Sequence, residues 1–186
     1  SFFQVFPNWD SKAEALALEL RPPGLGSRLA MALANPQLTE EQRNKLASVL
    51  ATDDSLEAGK ATLELLLSNA PESLRKMALE KVSIRLQKSN DALRKDSSLL
   101  ATVDSLAKTG RQADAINLIA IGQLNDRLEL VREVAQGAKQ PAELRGLAVG
   151  ALGRIGTAEA LESLLKLLSC YQRCPKSDTL EGSKDY

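Results

Sequence analysis

The residues able to do chemistry are few, and their types exclude more than they suggest. The chain of 186 residues has no histidine, which removes the commonest general base, the usual zinc and iron ligand, and every Ser or Cys triad that depends on an imidazole. Two cysteines, Cys170 and Cys174, stand four apart near the end. A zinc site needs about four ligands, so the pair alone falls short. The step also departs from the C-x-x-C spacing in which a helix start activates the first thiol. The pair reads either as two free thiols or as a local disulfide, the second implying an oxidising compartment. Carboxylate pairs such as Glu40 with Glu41 and Asp53 with Asp54 read as helix-start acids that complement the macrodipole. The expectation is a non-catalytic chain with no cofactor and no metal.

What remains is a surface that could hold a partner. Acids and bases balance at 24 each, so no global field draws the chain to nucleic acid or an anionic membrane. Charge is uneven locally. Residues 40–72 carry seven acids against three bases, and residues 75–95 carry seven bases against Glu80 and Asp91. On a helix Lys81, Arg85 and Lys88 fall at i, i+4 and i+7, opposite the Leu79, Val82 and Leu86 face. With Arg75 they form a candidate ridge for an acidic protein or peptide. The competing reading pairs these bases with the acids of the preceding helices.

The opening SFFQVFPNWD is the second candidate, because Phe2, Phe3, Phe6 and Trp9 are four of only six aromatic residues. They read as a plug for the end of a helical stack, as the end of a preceding domain, or as a docking peptide. Residues 10–170 hold no aromatic, so no rings interleave the bases as single-stranded nucleic acid would require. Nucleic acid is not an expected partner. The longest apolar runs are a few residues, against the roughly 20 that span a bilayer, so membrane insertion is not expected. Nor does the opening show a secretory pattern. The compartment is left open between cytoplasm and an exported fragment.

The elements that must position these residues are helices. From Asp10 onward almost no window alternates with period two, and start signals are plentiful. Ser11 with Glu14, Thr39 with Gln42 and Asp54 with Glu57 have capping-box spacing. Pro71 and Pro141 suit a first helical turn, and Gly110 and Gly156 suit C-terminal left-handed positions. These signals predict helices at 11–20, 27–34, 39–51, 54–68, 71–88, 90–108, 112–124, 126–137, 141–155 and 157–170. Residues 1–35 read as an aromatic segment with capping helices, 36–170 as repeats, and 171–186 as a flexible polar tail.

Internal repetition sets the architecture. A shift of 31 residues superposes Ile116 on Leu147, Ala120 on Ala151, Gly122 on Gly153, Leu124 on Ile155, Leu130 on Leu161 and Val134 on Leu165. A shift of 70 lays Pro71, Leu74, Arg75 and Ala78 on Pro141, Leu144, Arg145 and Ala148. The segment PAELRGLAVGALGRIGTAEALESLLKLL, residues 141–168, reads L-R-x-x-A-x-x-A-L-G-x-I-G followed by A-L-x-x-L-L-x-L-L. It resembles the short HEAT repeats also found in phycobilin lyases, most clearly over residues 112–168.

The resemblance implies an all-α fold, a right-handed α-solenoid of about ten helices in stacked antiparallel pairs. It also implies a protein-binding scaffold or, alternatively, an accessory domain of a larger bacterial enzyme, inert on its own. Other HEAT-type proteins depart from this chain: the deoxyhypusine-type hydroxylase holds metal with His-Glu pairs, and the DNA glycosylases use a basic groove with exposed aromatics. Within the stack, Gly122, Gly146, Gly150 and Gly153 are expected at close helix contacts. Leu147, Leu152, Ile155, Leu161 and Leu165 are expected to be buried between the last two pairs.

Overall fold

The computed structural model describes residues 11–20, 22–33, 35, 37–88 and 91–173. Among them are ten α-helices, two 3₁₀ turns and no strand. The helices are α1 (Ser11–Leu20), α2 (Leu25–Leu33), α3 (Glu40–Thr52), α4 (Leu56–Leu67), α5 (Glu72–Gln87), α6 (Ser97–Lys108), α7 (Gln112–Gly122), α8 (Leu128–Gln136), α9 (Ala142–Ile155) and α10 (Ala158–Arg173).

Breaks fall where side chains satisfy the free backbone groups of helix ends. Thr39 builds the full capping box on α3: its hydroxyl accepts the Gln42 N–H at 3.2 Å, and Gln42 Oε1 accepts the Thr39 N–H at 3.0 Å. Ser55, not Asp54, caps α4 by accepting the Ala58 N–H, because Asp53 bends the chain by accepting the Ser55 N–H. The helix expected over 90–108 is broken. Asp91 caps a 3₁₀ turn (Ala92–Lys95) and Asp96 caps α6, each carboxylate accepting the N–H two residues on. Such local bonds compete directly with helix continuation. Pro71 and Pro141 stand one residue before α5 and α9, in extended backbone. Gly156 ends α9 at φ 67°, a left-handed conformation that favours glycine, and returns its N–H to the Leu152 carbonyl.

Alternate helices are neighbours. α2 packs on α4 and α4 on α6; in a second row α3, α5, α7 and α9 each touch the next. The rows meet through α4 with α5, α6 with α7, and α8 with α9. This packing explains the sequence of α7, AINLIAIG after its first turn, which is apolar on nearly every face because α5, α6 and α9 all lie against it. The buried apolar residues are Leu, Ala, Ile and Val throughout, each large one contributing about 1.5–3 kcal/mol of burial. Gly26 permits a close crossing: a Cβ there would lie 2.8 Å from Ala58 Cα, so α2 and α4 meet backbone to backbone.

Two expectations about packing are corrected. A Cβ on Gly146, Gly150 or Gly153 would meet nothing within 4 Å, so these glycines face open space rather than a helix, and Gly122 meets only the Leu124 side chain. Leu152 and Ile155 are buried and Leu147 half-buried, but Leu161 and Leu165 are 48% and 67% exposed. The buried positions of α8 are Leu128, Val131, Val134 and Ala135; the first two and the last match the inward positions of α10, Ala160, Ser163 and Leu167, at an offset of 32 residues rather than 31, while Val134 matches the exposed Lys166. The slip arises in the connections. α7 reaches α8 through a 3₁₀ turn (Asn125–Arg127), whereas only Gly156 and Thr157 separate α9 from α10.

One ion pair joins neighbours within a row and sets a pH response. Lys60 Nζ of α4 lies 2.8 Å from the Asp96 carboxylate at the start of α6. That ammonium, with the Ser98 N–H, holds the Asp96 carboxyl down to about 2, from an ordinary 3.8. A carboxyl lowered by folding stabilises the chain above its ordinary pKa, and that contribution is lost as pH falls toward the folded value. The melting temperature is therefore expected to fall below about pH 4, and Asp96→Asn to melt lower than the parent at pH 7 with a shallower acid limb. Thermal melts from pH 2 to 7 check this; parallel acid limbs would refute it.

Candidate partner-binding surface

The basic stripe read from the sequence does not exist as one surface. Arg85 is only 7% exposed, and all five of its N–H groups have acceptors. Nη1 donates to the Ser55 and Asp53 carbonyls, Nη2 to the Asp54 carbonyl at 3.0 Å, and Nε and Nη2 to the two oxygens of Asp91 at 3.1 and 3.2 Å. Burial alone would raise the Asp91 carboxyl, but the guanidinium and the Leu93 N–H outweigh it and hold it below the usual range. The guanidinium lies flat on Gly59, where a Cβ would come within 3.0 Å of Nη1. Arg85 thus ties the α3–α4 connection to the turn after α5. The apolar face and the i, i+4, i+7 spacing were legible in the sequence. The free carbonyls left by a three-residue connection were not.

The other named residues separate. Lys88 Nζ is 3.1 Å from Asp54 on an exposed edge, the pairing with the preceding acids that the competing reading foresees. Lys81 is half-buried on α5, next to Val82. Phe2, Phe3, Phe6 and Trp9 lie outside the described residues, as does Cys174.

Arginine ties recur along the molecule. Arg111 Nη1 donates to the Leu66 carbonyl at the end of α4, and Arg94 to the Leu86 and Gly122 carbonyls at the ends of α5 and α7. Arg132 of α8 bonds the Ser163 hydroxyl and the Glu159 carbonyl of α10. The Arg127 guanidinium holds the Asp104 carboxyl below the usual range through a pair of bonds, the shorter 2.6 Å. Arg85, Arg94 and Arg111 thus satisfy carbonyls at helix ends, a use invisible in a charge count.

Arg75 is different. Between α5 and α7 runs a groove of about 410 Å³ lined by Glu72, Arg75, Lys76, Leu79, Thr109, Arg111 and Asp114. Lys76 pairs with Glu72 at 2.7 Å and Arg111 with Asp114 at 2.7 Å. Arg75 makes no direct ion pair or side-chain hydrogen bond among the described residues, although its charge helps to lower the Glu72 carboxyl one turn away, and its Nε, shut off from solvent, has no acceptor. The lining therefore sets three bases against two acids, a net of one positive charge. A smaller groove of about 220 Å³ between α7 and α9 is lined by Asn117, Ala120, Gly146, Leu147, Gly150, Ala151 and Arg154.

The surface that sequence reasoning missed is the free side of α10, where Leu161, Leu165 and Leu168 are 48%, 67% and 61% exposed. Leu161 and Leu165 are the two residues expected in the core, and their i, i+4, i+7 spacing with Leu168 is visible in the sequence. Among the described residues, no cluster of three or more acidic or sulfur side chains could hold a metal ion, and no helix is long and apolar enough to cross a membrane. No family model, curated protein or solved structure matches the chain.

Proposed function

We propose that the chain is a non-catalytic protein-binding scaffold, a right-handed superhelix of HEAT-like repeats that receives an acidic segment of a partner protein in the α5–α7 groove. Two features support the repeat reading: alternate helices packed in rows, and the L-R-x-x-A-x-x-A-L-G-x-I-G sequence falling on α9. Stacked helix pairs give an extended surface whose shape is fixed by the core beneath it. The observation that carries the binding reading is the unpaired Arg75, since an incoming carboxylate would form a charge-assisted bond there without displacing an existing pair.

The test is fluorescence anisotropy with a labelled peptide alternating Glu and Leu, titrated at several salt concentrations. Binding is expected to weaken with salt, and Arg75→Glu to lower affinity at least about tenfold, the scale of one charge-assisted contact. The melting temperature should hold, because Arg75 makes no internal bond that would be lost. Lys88→Glu, outside the groove, should leave affinity nearly unchanged. Equal binding by the parent and Arg75→Glu would remove the groove from consideration.

A further inference from the structure

α5 and α9 repeat each other in burial as well as in sequence. At a shift of 70 residues Pro71, Glu72 and Ser73 are exposed like Pro141, Ala142 and Glu143, and Ala78, Val82 and Arg85 are buried like Ala148, Leu152 and Ile155. The two helices are therefore turned alike about their axes, and a residue of α5 has its counterpart on the same side of α9. Arg75 and Arg145 are such a pair. Each is half-buried, and each is the fourth residue after the proline that precedes its helix.

They also share an unmet need. Arg145, like Arg75, makes no ion pair or side-chain hydrogen bond among the described residues, and its Nε too is shut off from solvent with no acceptor. Buried polar atoms of this kind are few in native proteins. Arg43 holds the matching place in α3, four residues after Thr39, but its Nη2 donates to the Asn35 carbonyl. In α7 the place belongs to Ala115. Of the four helices in the row, α5 and α9 therefore hold a guanidinium without an acceptor at this place. The side of α9 that carries Arg145 is open: Val149, one turn on, is 39% exposed, whereas its counterpart Leu79 is half-buried in the α5–α7 groove. α7 touches both helices, and with neighbouring axes 8–10 Å apart the two arginines stand about 20 Å from each other.

We propose that Arg145 is a second anion-binding point for the same acidic partner, two of whose carboxylates, about 20 Å apart, meet Arg75 and Arg145 in one complex. The proposal rests on the groove reading of Arg75 and adds selection by spacing. A second contact made within one complex raises affinity only when the chain joining the two acidic groups spans the gap.

The test is fluorescence anisotropy of the full chain with a labelled peptide of two Glu-Leu-Glu-Leu blocks. A Gly-Ser linker of about 14 residues joins them, with a typical reach of about 20 Å. In the control peptide one block has its glutamates replaced by glutamine. The two-block peptide is expected to bind at least about tenfold tighter than the control. Arg145→Glu should abolish that gain and leave the control's binding nearly unchanged. Arg145→Met, which keeps the half-buried stem and removes the charge, should do the same at the parent's melting temperature. A two-block peptide no tighter than the control, or a gain that survives both Arg145 variants, would overturn the inference and leave the groove at Arg75 standing. Control binding that is indifferent to Arg75→Glu would remove the groove, and this proposal with it.

Discussion

Replacing Arg85 with Met is expected to destabilise the protein by about 3–5 kcal/mol, the scale for removing one partner of a buried ion pair. The aliphatic length is kept, but the Asp91 carboxylate loses its donors in a place that water reaches poorly, and the carbonyls of Asp53, Asp54 and Ser55 lose theirs as well. For a chain of this size the melting temperature should drop by roughly 10 °C. Lys cannot substitute, since an ammonium lacks the planar fork that serves two elements at once. Lys88→Met, which breaks only an exposed pair with Asp54, should cost no more than about 1 kcal/mol. Thermal and urea unfolding of both variants separates the two roles. If Arg85→Met melts like the parent, the buried tie is not a stabilising feature of the fold.

The second large effect is expected in the core of α9. Leu152 is fully buried, and Leu152→Ala should cost about 2–5 kcal/mol through lost burial and the cavity left behind. Leu165→Ala, on the exposed side of α10, should stay within about 0.5 kcal/mol. The comparison distinguishes the 32-residue offset from the 31-residue one, which would bury both. Similar losses in the two variants, read as shifts in urea midpoint, would restore the original register.

The all-helical class and nearly every helix boundary could be read from the sequence, because capping residues and apolar period are local signals. Thr39 with Gln42 and Gly156 with Leu152 form the bonds that their spacing implies. Failures came where a residue's role depends on something distant in the chain. Arg85 looks like one member of a basic stripe until the loop 30 residues earlier is folded against it and offers its carbonyls. Gly146, Gly150 and Gly153 look like contact glycines, yet which side of α9 faces a neighbour depends on how α7 and α10 dock. Arg75 stands among the candidates on charge alone; what sets it apart is the partners its neighbours have and it lacks. A sequence records a charge and not its neutralisation.

The arginine ties also determine how the molecule would carry load. Arg111 reaches back 45 residues to Leu66, Arg85 back 30 to Ser55, Arg127 back 23 to Asp104, and Arg132 forward 31 to Ser163. Each therefore closes a loop of about one helix pair, and none of these joins one end of the molecule to the other. Tension applied at the two ends would pass from one tie to the next, with no single clamp holding the whole. The Ser55–Arg85 and Leu66–Arg111 loops overlap over residues 66–85, and Leu66–Arg111 overlaps Asp104–Arg127, so a loop released by one broken tie is still partly held by the next, as shingles hold one another.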